Sequence, residues 1–309
     1  MSGPILVPIQ SAPDTSVPTG TQISAKFTLI GPDGTRCVFN DQTDRDYVGV
    51  LTDVTGLDSP DVRESADDLV QMDGGIHGDF FYGRRPVTLS GVFLNPTSAD
   101  DRNRRQTKLQ RASNAMRGDA VLFWMLDGGV EQQITVRRQQ PLRITGQWQK
   151  QFQLQVIAAD PRIYSTTLSN STTTTNTGAT YTGRSYPKTY PFSYPYSPPV
   201  GQLIVNNAGT TPTFPIITIQ GPGANPVIAN YTTGEDLRLT LTLAVNDVLT
   251  IDTLNRTVIL NNTQSRYSAV NFATSEWFGL QPGNNTLQLS FDAFISGSVF
   301  SCSWRDAWL

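Results

Sequence analysis

Apolar and polar residues alternate with a period of two through much of the chain, in short runs that end at Gly, Pro, Asn or Asp turn signals. The pattern is most regular between residues 201 and 291. Strands are predicted there at Gln202 to Asn206, Phe214 to Gln220, Pro226 to Asn230, Asp236 to Ala244, Val248 to Asp252, Thr257 to Leu260 and Thr286 to Phe291. The gaps hold turn chemistry such as Gly221-Pro222-Gly223 and Pro282-Gly283-Asn284-Asn285. Short strands at this spacing point to a β-sandwich or jelly roll. Leu237, Leu239, Leu241 and Leu243 occupy alternate positions, so they are expected to line one face of its central strand.

The first half reads less evenly. Strands are predicted within 21–30, at Arg36 to Phe39 across the Gly31-Pro32-Asp33-Gly34 turn, and at Tyr47 to Thr55 and 86–93. Others follow at Val121 to Leu126, Gln132 to Arg138, Leu142 to Gln147 and Phe152 to Ala158, and Pro161 is expected to end the sheet. Between Ser59 and Gly83 the chain is polar and glycine-rich, which predicts a long excursion that touches something outside its own core. One helix is predicted at about 99–117, opened by Ser98 with Asp101 three residues on and closed by Gly118. Leu109, Ala112 and Met116 recur at helical spacing; Arg102, Arg104, Arg105, Lys108, Arg111 and Arg117 surround them. Three readings stand for this helix: a solvated cover on one end of a sheet, a basic contact surface for a neighbouring subunit, and a nucleic-acid contact.

These patterns divide the chain into an N-terminal β domain (1–164) carrying the helix, a joining stretch (165–200) and a C-terminal β-sandwich (201–309). Residues 165–180 are almost wholly Ser, Thr, Asn and Gly and lack the apolar area to offset their ordering entropy. Residues 186–199 place a proline every few positions among aromatics, which favours extended backbone. The stretch is read either as a mobile linker or as an ordered arm.

Composition narrows the function. The 309 residues are 16% charged with a formal net charge of -3, and neither half is basic enough for a duplex-binding domain: 17 basic and 19 acidic side chains up to residue 165, 6 and 7 after it. Sequence-specific nucleic-acid binding is therefore not expected. Cys37, Cys302 and the single His77 cannot complete a zinc site, and neither cysteine sits in a CxxC pair, so both are read as free buried thiols. The N-terminus lacks the signature of a signal peptide, and no apolar run is long enough to insert in a membrane. No cofactor motif occurs. Asp236, Asp247, Asp252, Glu276 and Asp292 could supply paired carboxylates, but nothing positions a pair, and His77 has no nucleophile elbow. No catalytic residue is assigned. Trp277 and Phe278, with Tyr267 and Phe272 nearby, are candidate carbohydrate contacts through ring stacking, against the alternatives of core or oligomer contact.

Several segments, taken in order, resemble the distal tail proteins of long, non-contractile-tailed bacteriophages. In the first half these are Val54 to Arg63, Asp73-Gly74-Gly75, Gly83-Arg84-Arg85 leading into Val87 to Gly91, the helix, and Ala159-Asp160-Pro161-Arg162. In the second they are Asn207-Ala208-Gly209, Pro215 to Gln220, Leu249 to Asp252 with Arg256-Thr257-Val258, and Leu280 to Asn285. The resemblance implies a homohexameric adaptor ring in the virion, at the distal end of the tail, between the tail tube protein and the baseplate hub or tail fibre. It also implies N-terminal β domains lining the ring, and galectin-like or carbohydrate-module-like sandwiches outside it. Host-attachment proteins that bind cell-surface carbohydrate are the alternative it leaves open. On this reading Asp58, Arg63, Asp73, Arg84, Arg85, Arg104 and Arg105 are candidate subunit contacts, and the 56–83 excursion reaches a neighbouring subunit. The protein would be made in the cytoplasm of a host bacterium.

Overall fold

The computed structural model describes residues 25–68, 73, 75–125, 129–147, 149–175, 201–292 and 297–309. The first part contains β1 (Phe27–Ile30), β2 (Arg36–Phe39), β3 (Tyr47–Thr55), β4 (Val62–Asp68), β5 (Gly75–Tyr82), β6 (Arg85–Val92), α1 (Ala99–Ala112), β7 (Ala120–Trp124), β8 (Gln132–Arg138), β9 (Arg143–Thr145), β10 (Gln151–Ala158) and β11 (Ile163–Ser165). Seven strands run β8-β7-β1-β2-β3-β6-β10 and return to β8 through Val156↔Arg138 and Ile157↔Arg137, which closes a barrel. Closure leaves fewer backbone edges to satisfy. Along β10 the alternation is plain: Phe152, Leu154, Val156 and Ala158 face the core, and Gln151, Gln153 and Gln155 do not. The rings of Phe39 and Phe93 pack 5.7 and 5.1 Å from that of Phe152.

The second part contains β12 (Ser169–Thr174), β13 (Gln202–Asn207), β14 (Ile216–Gln220), β15 (Gly223–Ala224), β16 (Val227–Asn230), β17 (Glu235–Arg238), β18 (Thr242–Leu243), β19 (Val248–Asp252), β20 (Thr257–Leu260), β21 (Gln264–Ser265), β22 (Gly283–Ser290), β23 (Val299–Trp304) and β24 (Ala307–Trp308). Six strands form one sheet (β12-β23-β14-β19-β20-β21) and four another (β13-β22-β16-β17). Ile217, Ile219 and Ile251 from the first and Leu203, Ile228 and Leu287 from the second share one core, the arrangement of a β-sandwich.

Four expectations change here. The Ser59 to Gly83 excursion is a two-stranded antiparallel hairpin, β4–β5, that pairs with no other sheet. The helix stops at Ala112: Ser113 leaves the helical backbone (φ -97°, ψ 19°), its hydroxyl takes the Leu109 carbonyl (2.8 Å), and the Asn114 N–H turns to the Arg111 carbonyl three residues back (3.2 Å). Met116 thus falls past its end, 93% exposed. The four leucines do not form a central strand: β17 is an edge strand, Leu239 makes a single bridge to Val270, and β18 pairs elsewhere with β15. Leu237, Leu239 and Leu243 are nonetheless buried, so the inward alternation survives the break. Finally, the joining stretch begins with a strand. Ser169–Thr174, expected in the joining stretch, lies along β23 from Ser169↔Trp304 to Thr174↔Val299, with the Thr172 and Ser301 hydroxyls 3.0 Å apart. Ladder hydrogen bonds supply there what apolar area does not. The Tyr/Pro-rich part of that stretch lies outside the described residues.

Candidate assembly surfaces

The β4–β5 hairpin leaves the barrel between the end of β3 and the start of β6. Val62, Phe81 and Tyr82 near its root are 56%, 60% and 51% exposed, an unusual concentration of open apolar side chains. Asp58, Arg63, Asp73 and Arg84, expected at subunit contacts, are all exposed on the hairpin or beside it. Arg85 is different, since it has no surface to offer a partner. It begins the β6 alternation with Val87 and Leu89 and is fully buried. Its Nε donates to the Pro161 carbonyl (2.8 Å) and its Nη1 to those of Gly56 (3.2 Å) and Leu57 (2.8 Å). Burial holds its pKa below the usual guanidinium value. Arg85 is a staple that fixes the hairpin root to the end of β10, which corrects its assignment as a contact.

The basic helix is pinned in a similar way. Ser98 caps it by accepting from the Asp101 N–H, and Asp101 is buried at its first turn. Asp101 takes Arg104 at 2.6 Å and Arg105 at 2.7 Å, and the Arg105 guanidinium lies 5.1 Å over the Tyr47 ring. Arg105 is therefore mostly inside, whereas Arg104 remains 78% exposed. Lys108 reaches Asp46 at 2.6 Å. Between α1 and the β1–β2 turn lies an open groove of about 710 Å³ lined by Arg36, Arg45, Asp46, Arg104, Lys108 and Arg111. Arg36 is read from the sequence only as the first residue of a strand, and Arg45 and Asp46 sit between two strand signals without a pattern of their own.

These carboxylates give the helix an acid limit. Burial opposes the charge on Asp101, but hydrogen bonds from Arg104 and Arg105 outweigh it and hold its pKa below the ordinary range. Lys108 likewise holds Asp46 below it. A lowered folded-state pKa stabilises fully above the ordinary value of 3.8 and is lost as pH falls through the lowered one. Helix docking is expected to weaken as the pH falls below about 4 and to be unaffected above about pH 5. Far-ultraviolet circular dichroism across that range checks this; a transition centred above about pH 5 contradicts it.

A third surface joins the two parts of the chain. The last strand, β24, leaves the sandwich and pairs with β11 on the barrel's sheet, Ile163↔Trp308 and Tyr164↔Ala307. Trp308 packs against the barrel core. The Ala307 carbonyl accepts from the N–H groups of Thr210 (2.9 Å) and Thr211 (3.1 Å), and Arg305 donates to the carbonyls of Ser165 and Thr166. Arg162 donates to the Pro212 carbonyl at 3.1 Å and covers the Phe214 ring at 4.9 Å. A Cβ placed on Gly209 would lie 1.9 Å from the Ala307 carbonyl oxygen, so this position excludes any side chain. None of this clasp was read from the sequence, although Asn207-Ala208-Gly209 was noted.

The aromatic candidates separate. Phe278 is buried in the sandwich core and has no ring face for a sugar, so it is withdrawn as a carbohydrate contact. Trp277 is half-buried against the same core. Tyr267 and Phe272 pack on each other at 5.1 Å and are both exposed. Burial pushes the Cys37 and Cys302 thiols up to about 12, which leaves them protonated and inert at neutral pH. Among the described residues no cluster of His, Cys, Asp and Glu could hold a metal ion, and no helix is long and apolar enough to cross a membrane.

Residues 208–308 match the family model described as the siphovirus-type tail component, C-terminal domain (SPP1 Dit). The crystal structure of SPP1 Dit (gp 19.1), described as a paradigm of hub adsorption apparatus in phages infecting Gram-positive bacteria, superposes with a TM-score of 0.64 at 15% identity. The match covers 92% of this chain and 99% of that one. The activated phage P2 baseplate with calcium contains a chain that matches at a TM-score of 0.49 and 12% identity, over 90% of this chain and 97% of its own. No curated protein matches by sequence. Residues 208–308 are thus similar to that C-terminal domain, and barrel and sandwich together share the fold of SPP1 Dit.

Proposed function

We propose that the protein is a structural distal tail protein, six copies of which close into an adaptor ring between the tail tube and the baseplate hub or tail fibre. The tail-component domain at residues 208–308 carries this reading. The barrels would form the ring, and the sandwiches, taken as galectin-like modules, would stand outside it. A cyclic ring needs two unlike faces on each copy, and the protruding hairpin and the basic groove are unlike in shape and charge. Its work is multivalent protein contact in the virion, without catalysis. Negative-stain images of the purified full chain, alone and with tail tube protein, are expected to show six-fold rings; monomers in both samples would end this reading. Sugar binding keeps only Trp277 of its two candidate residues and has no observation of its own to favour it.

A further inference from the structure

We infer that the basic groove between α1 and the β1–β2 turn is the seat for the acidic β4–β5 hairpin of a neighbouring copy of this chain. This rests on the ring reading and deepens it by naming which surface meets which. Residues 58–82 carry seven carboxylates and one arginine, whereas residues 99–117 carry six basic side chains and two acidic ones. The groove adds Arg36 and Arg45. Internal pairing consumes part of this charge: Asp46 takes Lys108 and Arg36, and Asp44 also takes Arg36. What is left over faces outward. Arg45, 92% exposed, meets Asp46 only at 3.8 Å, and Arg111 meets Asp33 only at 3.5 Å.

The two surfaces lie at opposite ends of one strand. Asp46 and Tyr47, at the start of β3, hold Lys108 and Arg105 of the helix, and the hairpin departs after Thr55, where β3 ends. Nine residues of extended chain separate these points, about 30 Å at roughly 3.3 Å per residue. The seat is therefore placed to receive the hairpin of the next copy, and a contact between opposite ends propagates head to tail, as a ring demands. Opposed charge fixes the orientation and sets a salt dependence, since the screening length is about 8 Å at physiological ionic strength.

The test uses two charge-reversed variants of the full chain. One reverses the groove (Arg45→Glu, Arg104→Glu, Arg111→Glu) and the other the hairpin (Asp61→Lys, Asp73→Lys, Asp79→Lys). Each alone sets like charges against each other, and its association in sedimentation velocity is expected to fall at least about tenfold. Mixed in equal amounts, every groove meets an oppositely charged hairpin, and association is expected to recover. A groove variant that assembles like the wild type, or a mixture that does not recover, overturns the inference. If that variant assembles normally but loses salt-sensitive retention on duplex DNA, the groove is a polyanion site instead. A wild type that stays monomeric even with tail tube protein fails the ring reading itself, a distinguishable result. Should a triple variant misfold, Asp79→Cys and Arg104→Cys proteins mixed under oxidation are expected to give a mixed disulfide, the native cysteines being buried. Its absence in assembled material counts against the seat.

Discussion

Arg85→Met is expected to destabilise the protein by roughly 2–4 kcal/mol while leaving the barrel's apolar volume nearly filled. The substitution removes the donors for the carbonyls of Gly56, Leu57 and Pro161 at one stroke. Each buried acceptor left without a donor costs about 1–3 kcal/mol, and part of that is offset because a desolvated guanidinium is no longer buried. The unpartnered Nη2 goes with it, which adds to the offset. The net sign is still a loss, because three backbone groups are stranded and one side chain is relieved. Urea unfolding gives the stability change, and limited proteolysis at 56–84 reports on the hairpin root. A variant within about 0.5 kcal/mol of the wild type, cut no faster, would show that Arg85 is not the staple described.

The second large effect is expected at Gly209→Val. The nearest atoms to the new Cβ are the carbonyl oxygen, carbon and nitrogen of Ala307, at 1.9, 2.6 and 2.6 Å, so no flexible side chain can yield. Either the 207–211 turn or β24 must move, and the Ile163↔Trp308 pairing and both N–H bonds to the Ala307 carbonyl are lost with it. The expected cost is about 2–4 kcal/mol, concentrated at the junction of the two parts. In calorimetry, a wild type that melts as one unit should become a variant in which sandwich and barrel melt separately. One unchanged transition would mean that the clasp does not couple them.

The same two residues show what the chain discloses before it folds. Strand alternation places Val87 and Leu89 inward, and extending it back by one step places Arg85 inward and Arg84 outward. The register was legible; the charge hid it, because an arginine reads as a surface residue unless its partners are known, and these lie at 56, 57 and 161. The β3 and β8 limits, the Ser98 cap and the inward leucines were all local signals and are found where periodicity placed them. β12 escaped for the opposite reason. Ser169–Thr174 has no apolar stripe, and its order comes from β23, a strand more than a hundred residues later. Phe278 takes the core alternative because adjacent residues on an extended chain face opposite ways: Trp277 is the outer one and Phe278 the inner.

The return of β24 to the barrel also sets an order of events during synthesis. Asp306 bonds to Ser165 across 141 residues of sequence, so β11, paired with β8 on one side, must wait for the whole sandwich to be translated before its second neighbour exists. The seven-strand barrel is complete by residue 158 and can close early. The barrel surfaces are thus available while the edge that fixes the sandwich is still unpaired, and contacts this distant in sequence form slowly. A copy that enters an assembly before β24 docks would carry its sandwich on a single crossing of the chain; after docking it is held by two. The angle at which that module stands is the last thing this protein decides.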